Sequence, residues 1–194
     1  MNSTDLTETH TTEQSVGHET WISGLRYTKS FLAKLYLGDK ELKDVYCAVL
    51  NKFSAYEGVN ARTAYSGVVF SYKRKPLAKA VISGKYLTLY LAVEPSAHSQ
   101  GKYRLTDVKN VKKYSALPSK YRVRSKGGLK FALVVIDEII AGLALKEKAS
   151  IVPATHKDFP SESFSNLLSR GLIRQINLPV RQVSRPVPDG NAVI

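Results

Sequence analysis

Apolar and polar positions along this chain change period several times, and each change marks an element. Between residues 40 and 53, Leu42, Val45, Tyr46, Val49, Leu50 and Phe53 recur at helical spacing, while Lys40, Lys43, Asp44, Asn51 and Lys52 fall on other faces. The pattern predicts an amphipathic helix, capped by Asp39 and stopped by Gly58. A shorter helix precedes it in RYTKSFLAKLYLG, with Phe31, Leu32 and Leu35 on one side and Gly38 at its end. From Asn60 to Val93 the period becomes two. Turn signals at Ser66-Gly67, Arg74 to Pro76 and Ser83-Gly84-Lys85 divide this stretch into an antiparallel meander of four short strands. In the last, YLTLYLAV, the residues Leu87, Leu89, Leu91 and Val93 form a core face, and Tyr86, Thr88, Tyr90 and Ala92 face the other way.

Beyond Glu94-Pro95, Thr106 can cap a short helix in TDVKNVKKYSAL carrying Val108, Val111 and Tyr114, broken by Pro118. KYRVRS reads as a further strand with Tyr121 and Val123 inward and Arg122 and Arg124 outward. After Gly127-Gly128 a long helix places Leu129, Ala132, Leu133, Ile136, Ile139, Ile140 and Leu143 on its core side. A short helix from Ser163 to Arg170, stopped by Gly171, and a strand-like LIRQINL follow. The first twenty residues have too little apolar content to order themselves, and Pro179, Pro186 and Pro188 favour an extended tail.

The predicted fold is therefore α+β and a single domain: an antiparallel sheet of about four to five strands packed with two main helices and several short ones. Its expected organisation is a disordered polar head at 1–20, a basic domain at 21–149, a helix–strand appendage at 150–178 and a flexible tail at 179–194.

The length of 194 residues suits one hydrophobic core. No apolar run reaches the roughly 18 residues of a membrane span, and the start lacks a signal-peptide pattern, so a cytoplasmic location is expected. Cys47 is the one cysteine, which excludes an internal disulfide and a cysteine-based zinc cluster. Its place in the helical pattern suits packing better than nucleophilic attack.

Charge changes the picture most. The formal net charge is +13, yet Asp5, Glu8, Glu13 and Glu19 all lie in the head, which has no Lys or Arg. The remainder sets 29 basic side chains against 12 acidic ones, a balance that attracts polyanions, nucleic acid first.

Candidate catalytic chemistry is sparse. His10 and His18 fall in the head, His98 and His156 in polar loops, and no G-x-S-x-G turn accompanies them. No spacing calls for a metal or another cofactor. Asp137 and Glu138 are adjacent on a helix and point apart. Glu41-Leu42-Lys43 has the E-x-K order of some nucleases but falls in a helix, the wrong setting. Gly127-Gly128 could receive a phosphate on free N–H groups or could simply be a turn.

The more coherent constellation is the sheet face opposite the leucines. Alternation there would project Lys73, Lys79, Tyr86, Tyr90, Arg122 and Arg124, with Lys109, Lys112 and Lys113 nearby. Cations to meet phosphates and rings to stack on bases are what single-strand binders combine. The other reading is that this face is covered, with the helix at Lys29 to Leu37 as the candidate cover.

The strings RYTKSFLAKL, RKPLAKAVISGKYLTLYLAVEP, KYRLTDVKNVKKYSALPSKYRVRS and LKFA carry S-F-x-A-K-L, G-K-x-L-x-L-Y-L-A and V-K-K-Y motifs. Through them the chain resembles an uncharacterised bacterial domain family, from about Arg26 to Leu145, and LLSRGLIRQI resembles the element that follows it. The resemblance implies one compact α/β unit and brings no catalytic residues. A looser likeness to small domains fused to nucleases favours a nucleic-acid setting by analogy.

The leading expectation is a non-enzymatic nucleic-acid-binding or nucleic-acid-associated accessory protein. The alternatives are a protein-interaction module, whose acidic head folds against its own basic surface or whose LIRQINL segment pairs with a partner strand, and a small hydrolase or nuclease.

Overall fold

The computed structural model describes residues 26–98 and 100–176, so the predicted head and tail lie outside the described residues. Tyr27–Ile176 form one compact unit. Its elements in chain order are β1 (Arg26–Lys29), α1 (Phe31–Tyr36), α2 (Lys40–Ser54), β2 (Val59–Ala64), β3 (Gly67–Tyr72), β4 (Lys75–Ser83), β5 (Tyr86–Leu91), β6 (Thr106–Asp107), β7 (Ser119–Val123), α3 (Lys126–Ala141), α4 (Phe164–Ser169) and β8 (Ile173–Ile176).

A six-stranded antiparallel sheet in the order β2-β3-β4-β5-β7-β6 dominates, with β1 and β8 forming a separate two-stranded sheet. The meander β2 to β5 and the strand β7 follow the expected alternation. Mixed helices and an antiparallel sheet make this α+β, but the main sheet is larger than expected. The extra member is β6: Thr106 pairs with Lys120 and begins a strand rather than capping a helix. Only a 3₁₀ turn at Lys112–Tyr114 remains of the helix predicted there. A two-residue strand and a four-residue one, β1, are too short for alternation to register in the sequence.

One face of the sheet carries Val68, Phe70, Ala80, Leu87, Leu89, Leu91, Tyr121 and Val123, all buried. Leu87, Leu89 and Leu91 are fully buried, each contributing about 2 kcal/mol of apolar transfer. Against this face lie α2, through Leu42, Tyr46, Val49 and Phe53, and α3, through Ala132, Val135, Ile136, Ile139 and Ile140. The rings of Phe53 and Phe70 stack at 4.3 Å where helix meets sheet.

Local chemistry sets the helix ends. The side chains of Ser30, Asp39, Ser125 and Ser163 accept from backbone N–H groups at the starts of α1, α2, α3 and α4. Asp39 is thus the expected cap, whereas α2 ends at Ser54, before Gly58, whose φ of +74° serves the turn into β2. Lys43, expected on a solvated face, is buried with its ammonium donating to Ser161 Oγ at 2.8 Å. Residues 155–161 fold back over α2, which periodicity within one helix does not report.

Phe31 and Leu35 of α1 join the main core beside Tyr46, so α1 packs on the helix side and is not the cover of the opposite face. Its other side meets the appendage: Ala33 is buried with Leu167 of α4 and Ile173 of β8. The Ser30 N–H donates to Leu172 O at 2.8 Å, and Thr28 Oγ1 donates to Arg174 O at 3.4 Å, contacts running in opposite directions along β1 and β8.

Candidate nucleic-acid interface

Strand register decides which side chains share the outer face. Arg62 pairs with Val69, Val69 with Lys79, Lys79 with Tyr90, Tyr90 with Lys120, and Lys120 with Thr106. These positions form a row across the sheet. Neighbouring strands lie about 4.8 Å apart, so Arg62, Lys79 and Lys120, on every second strand, follow one another at intervals of about 10 Å. The next row contains Val81, Thr88 and Arg122. No carboxylate occupies an outward position of β2, β3, β4, β5 or β7. Arg62 and Arg122 are exposed, and Lys79 and Lys120 half-buried.

The tyrosines behave differently from the expectation of open stacking platforms. Tyr90 is only 8% exposed because the ring of Tyr114 lies flat on it, 3.8 Å between centroids at 8°. Burial, then the hydrogen bond and charge of Tyr114, push the Tyr90 hydroxyl up to about 12. The outermost ring here is Tyr114, with the ammonium groups of Lys79 and Lys113 each 5.8 Å from its centroid. The segment holding the 3₁₀ turn therefore covers part of the face, in the role considered above for the helix at Lys29 to Leu37.

Of the expected residues, Lys79, Tyr90 and Arg122 come together on this face, and Lys113 joins them through Tyr114. Lys112, in the same turn, is exposed. Tyr86 and Arg124 line a groove with Asp39, Glu41 and Lys85, where acids offset the cations. Lys73 sits in the β3–β4 turn and lines a cavity against α3. Lys109 forms an exposed ion pair with Glu94, whose charge offsets its own. Lys120 and Arg62 were missed: Lys120 shares the parity of Arg122, and Arg62 lies on a strand too polar to reveal its inner face.

The glycines ahead of the long helix lie inside its first turn, where Ser125 Oγ already accepts from the Gly128 N–H at 3.1 Å. They serve close packing. A Cβ at Gly127 would meet Tyr103 Oη at 2.2 Å, and one at Gly128 would meet Tyr121 Oη at 2.7 Å. Nor is a thiolate prepared. Cys47 shares a shallow groove with Asp44, Asn51 and His156, but His156 Nδ1 bonds Asp44 at 3.0 Å. Burial, then Asp44 and Asp158, push the thiol up to about 11, the direction opposite to activation. Among the described residues no group of three or more His, Cys, Asp or Glu could hold a metal ion, and no helix is long and apolar enough to cross a membrane.

No family model, curated protein or solved structure matches this chain.

Proposed function

We propose that this protein binds nucleic acid without transforming it, through the outer face of its six-stranded sheet. The observation that supports this best is the row Arg62, Lys79 and Lys120, with Arg122 beside it and no carboxylate at the outward positions of these strands. Cations held at regular intervals by strand register suit a polymer of phosphates, and each phosphate neutralised releases condensed counterions. With Tyr90 beneath Tyr114, base stacking falls to the single outer ring of Tyr114, so phosphate contacts carry most of the binding.

Fluorescence anisotropy of labelled single- and double-stranded DNA and RNA across a salt series tests the reading. Affinity should fall steeply with salt, and Arg62→Glu, Lys79→Glu and Lys120→Glu should each weaken binding and lower the salt slope by about one. Arg124→Glu, beside Asp39 and Glu41, should change it less. Unchanged affinity in all three face variants would remove the interface from this face.

A protein-interaction reading draws on β2, which among the described residues has a strand neighbour on one side only and exposes five of its six residues. The Ile173–Ile176 part of LIRQINL, the segment expected to seek a partner strand, forms β8 and pairs with β1.

A further inference from the structure

The β3–β4 turn borders a cavity of about 470 Å³ on the helix side of the sheet, within the size range of small-molecule sites. Leu77, Val93, Ile139 and Leu143 supply apolar walls, and Lys73 and Lys75 stand at its rim. Leu77 is available because the β3–β4 register slips: Phe70 pairs with Ala78 but Ser71 with Pro76. That slip leaves Leu77 as an extra, buried residue. Glu138 also reaches the cavity, but its carboxylate is engaged by His98 Nε2 at 2.8 Å. The ion pairs formed among the described residues take up none of Lys73, Arg74 and Lys75.

Backbone strain gathers at the same place. Among the described residues, the non-glycine positions in the left-handed region are Lys73 at φ 45°, Arg74 at 68° and Ala144 at 48°. Lys73 and Arg74 make the turn on one side of the cavity, and Ala144 directly follows Leu143 on the other. A two-residue turn with both positions left-handed is ordinarily filled by Asn-Gly. Two long cations stand there instead. Strain of this kind persists where the surrounding structure holds it in place, and it gathers at ligand sites.

We propose that this cavity binds a small molecule with an apolar body and one carboxylate. The body packs on Leu77, Val93, Ile139 and Leu143, and Lys73 and Lys75 receive the carboxylate. The site lies on the opposite side of the sheet from Arg62, Lys79 and Lys120 and does not rest on the nucleic-acid reading.

The test uses the full chain with decanoate and 3-phenylpropanoate as probes, one flexible and one flat, with decanol as the uncharged control. Binding is followed through the methyl resonances of Ile139 and Leu143. At least one carboxylate should shift them saturably below about 1 mM, and decanol should bind about tenfold more weakly than decanoate. Lys73→Asn/Arg74→Gly installs the sequence the turn favours, so it should fold at least as well as the parent and still lose about tenfold in affinity for the carboxylate. Lys79→Glu should leave these shifts unchanged. The proposal is overturned if neither carboxylate moves the two residues, if decanol matches decanoate, or if the relaxed turn keeps the parent affinity.

Discussion

Thr88 shows at the scale of one side chain how a strand position can oppose stability. It is fully buried in the middle of the sheet, and its hydroxyl has no hydrogen-bond partner among the described residues. A buried, unsatisfied hydroxyl costs about 1–3 kcal/mol, so the isosteric Thr88→Val should raise the unfolding free energy by about 1 kcal/mol in urea titration. Titration gives a second test at this scale. Burial, followed by neighbouring Asp44 and Asp158, raises the Cys47 thiol to about 11 from an ordinary 9.0. Tyr46, chiefly through burial, rises to about 12, as does Tyr90. In each case the folded chain holds its proton more tightly than the unfolded one. Their contribution is therefore complete below about pH 9 and is lost as pH climbs towards about 12. Urea midpoints measured from about pH 8 to 11 should fall, and Cys47→Ala should flatten the early part of that fall; a midpoint that stays level would contradict these environments.

Elements respond in units. Gly67 opens β3 where a Cβ would come within 2.4 Å of Ala80 O, a backbone atom that cannot swing aside. Gly67→Ala should force β3 from β4 and cost about 2 kcal/mol in urea titration. Within the same compact unit the appendage has a small core of its own, where Leu167 and Ile173 seat on Ala33. Leu167→Ala should cost about 3 kcal/mol locally, and hydrogen exchange should show α4 and β8 losing protection while β3 to β5 keep theirs. Uniform loss across both would make the appendage part of one cooperative unit. These elements were legible in the sequence to very different degrees. The leucines of β5 and the apolar face of α2 announced themselves because each buries one full face, which leaves a clean period. Lys43 could not be read that way, since its burial depends on Ser161, more than a hundred residues on. Thr106 was misread as a helix cap because the same side chain suits a strand beside Lys120 when the neighbour comes from distant sequence.

For the whole molecule, the excess of positive charge was plain from composition, but its arrangement was not. Parity alone placed Lys79 and Arg122 on one face, and the same rule applied to Lys120 would have completed the row. That Tyr114 closes over Tyr90 could not be foreseen, because a loop's path depends on tertiary contacts rather than on local period. The charge is also unevenly distributed: acids meet cations around Asp39 and along α3, while the outward positions of β2 to β5 and β7 stay free of them. The pairing of β1 with β8 carries a mechanical consequence. Tyr27 and Ile176 lie near the same end of that small ladder, so a pull applied through these residues would part it one rung at a time. Part of the load would reach the edge of the six-stranded sheet as the first rungs open, because Tyr65, in the β2–β3 turn, donates its hydroxyl to Thr28 O at 2.9 Å.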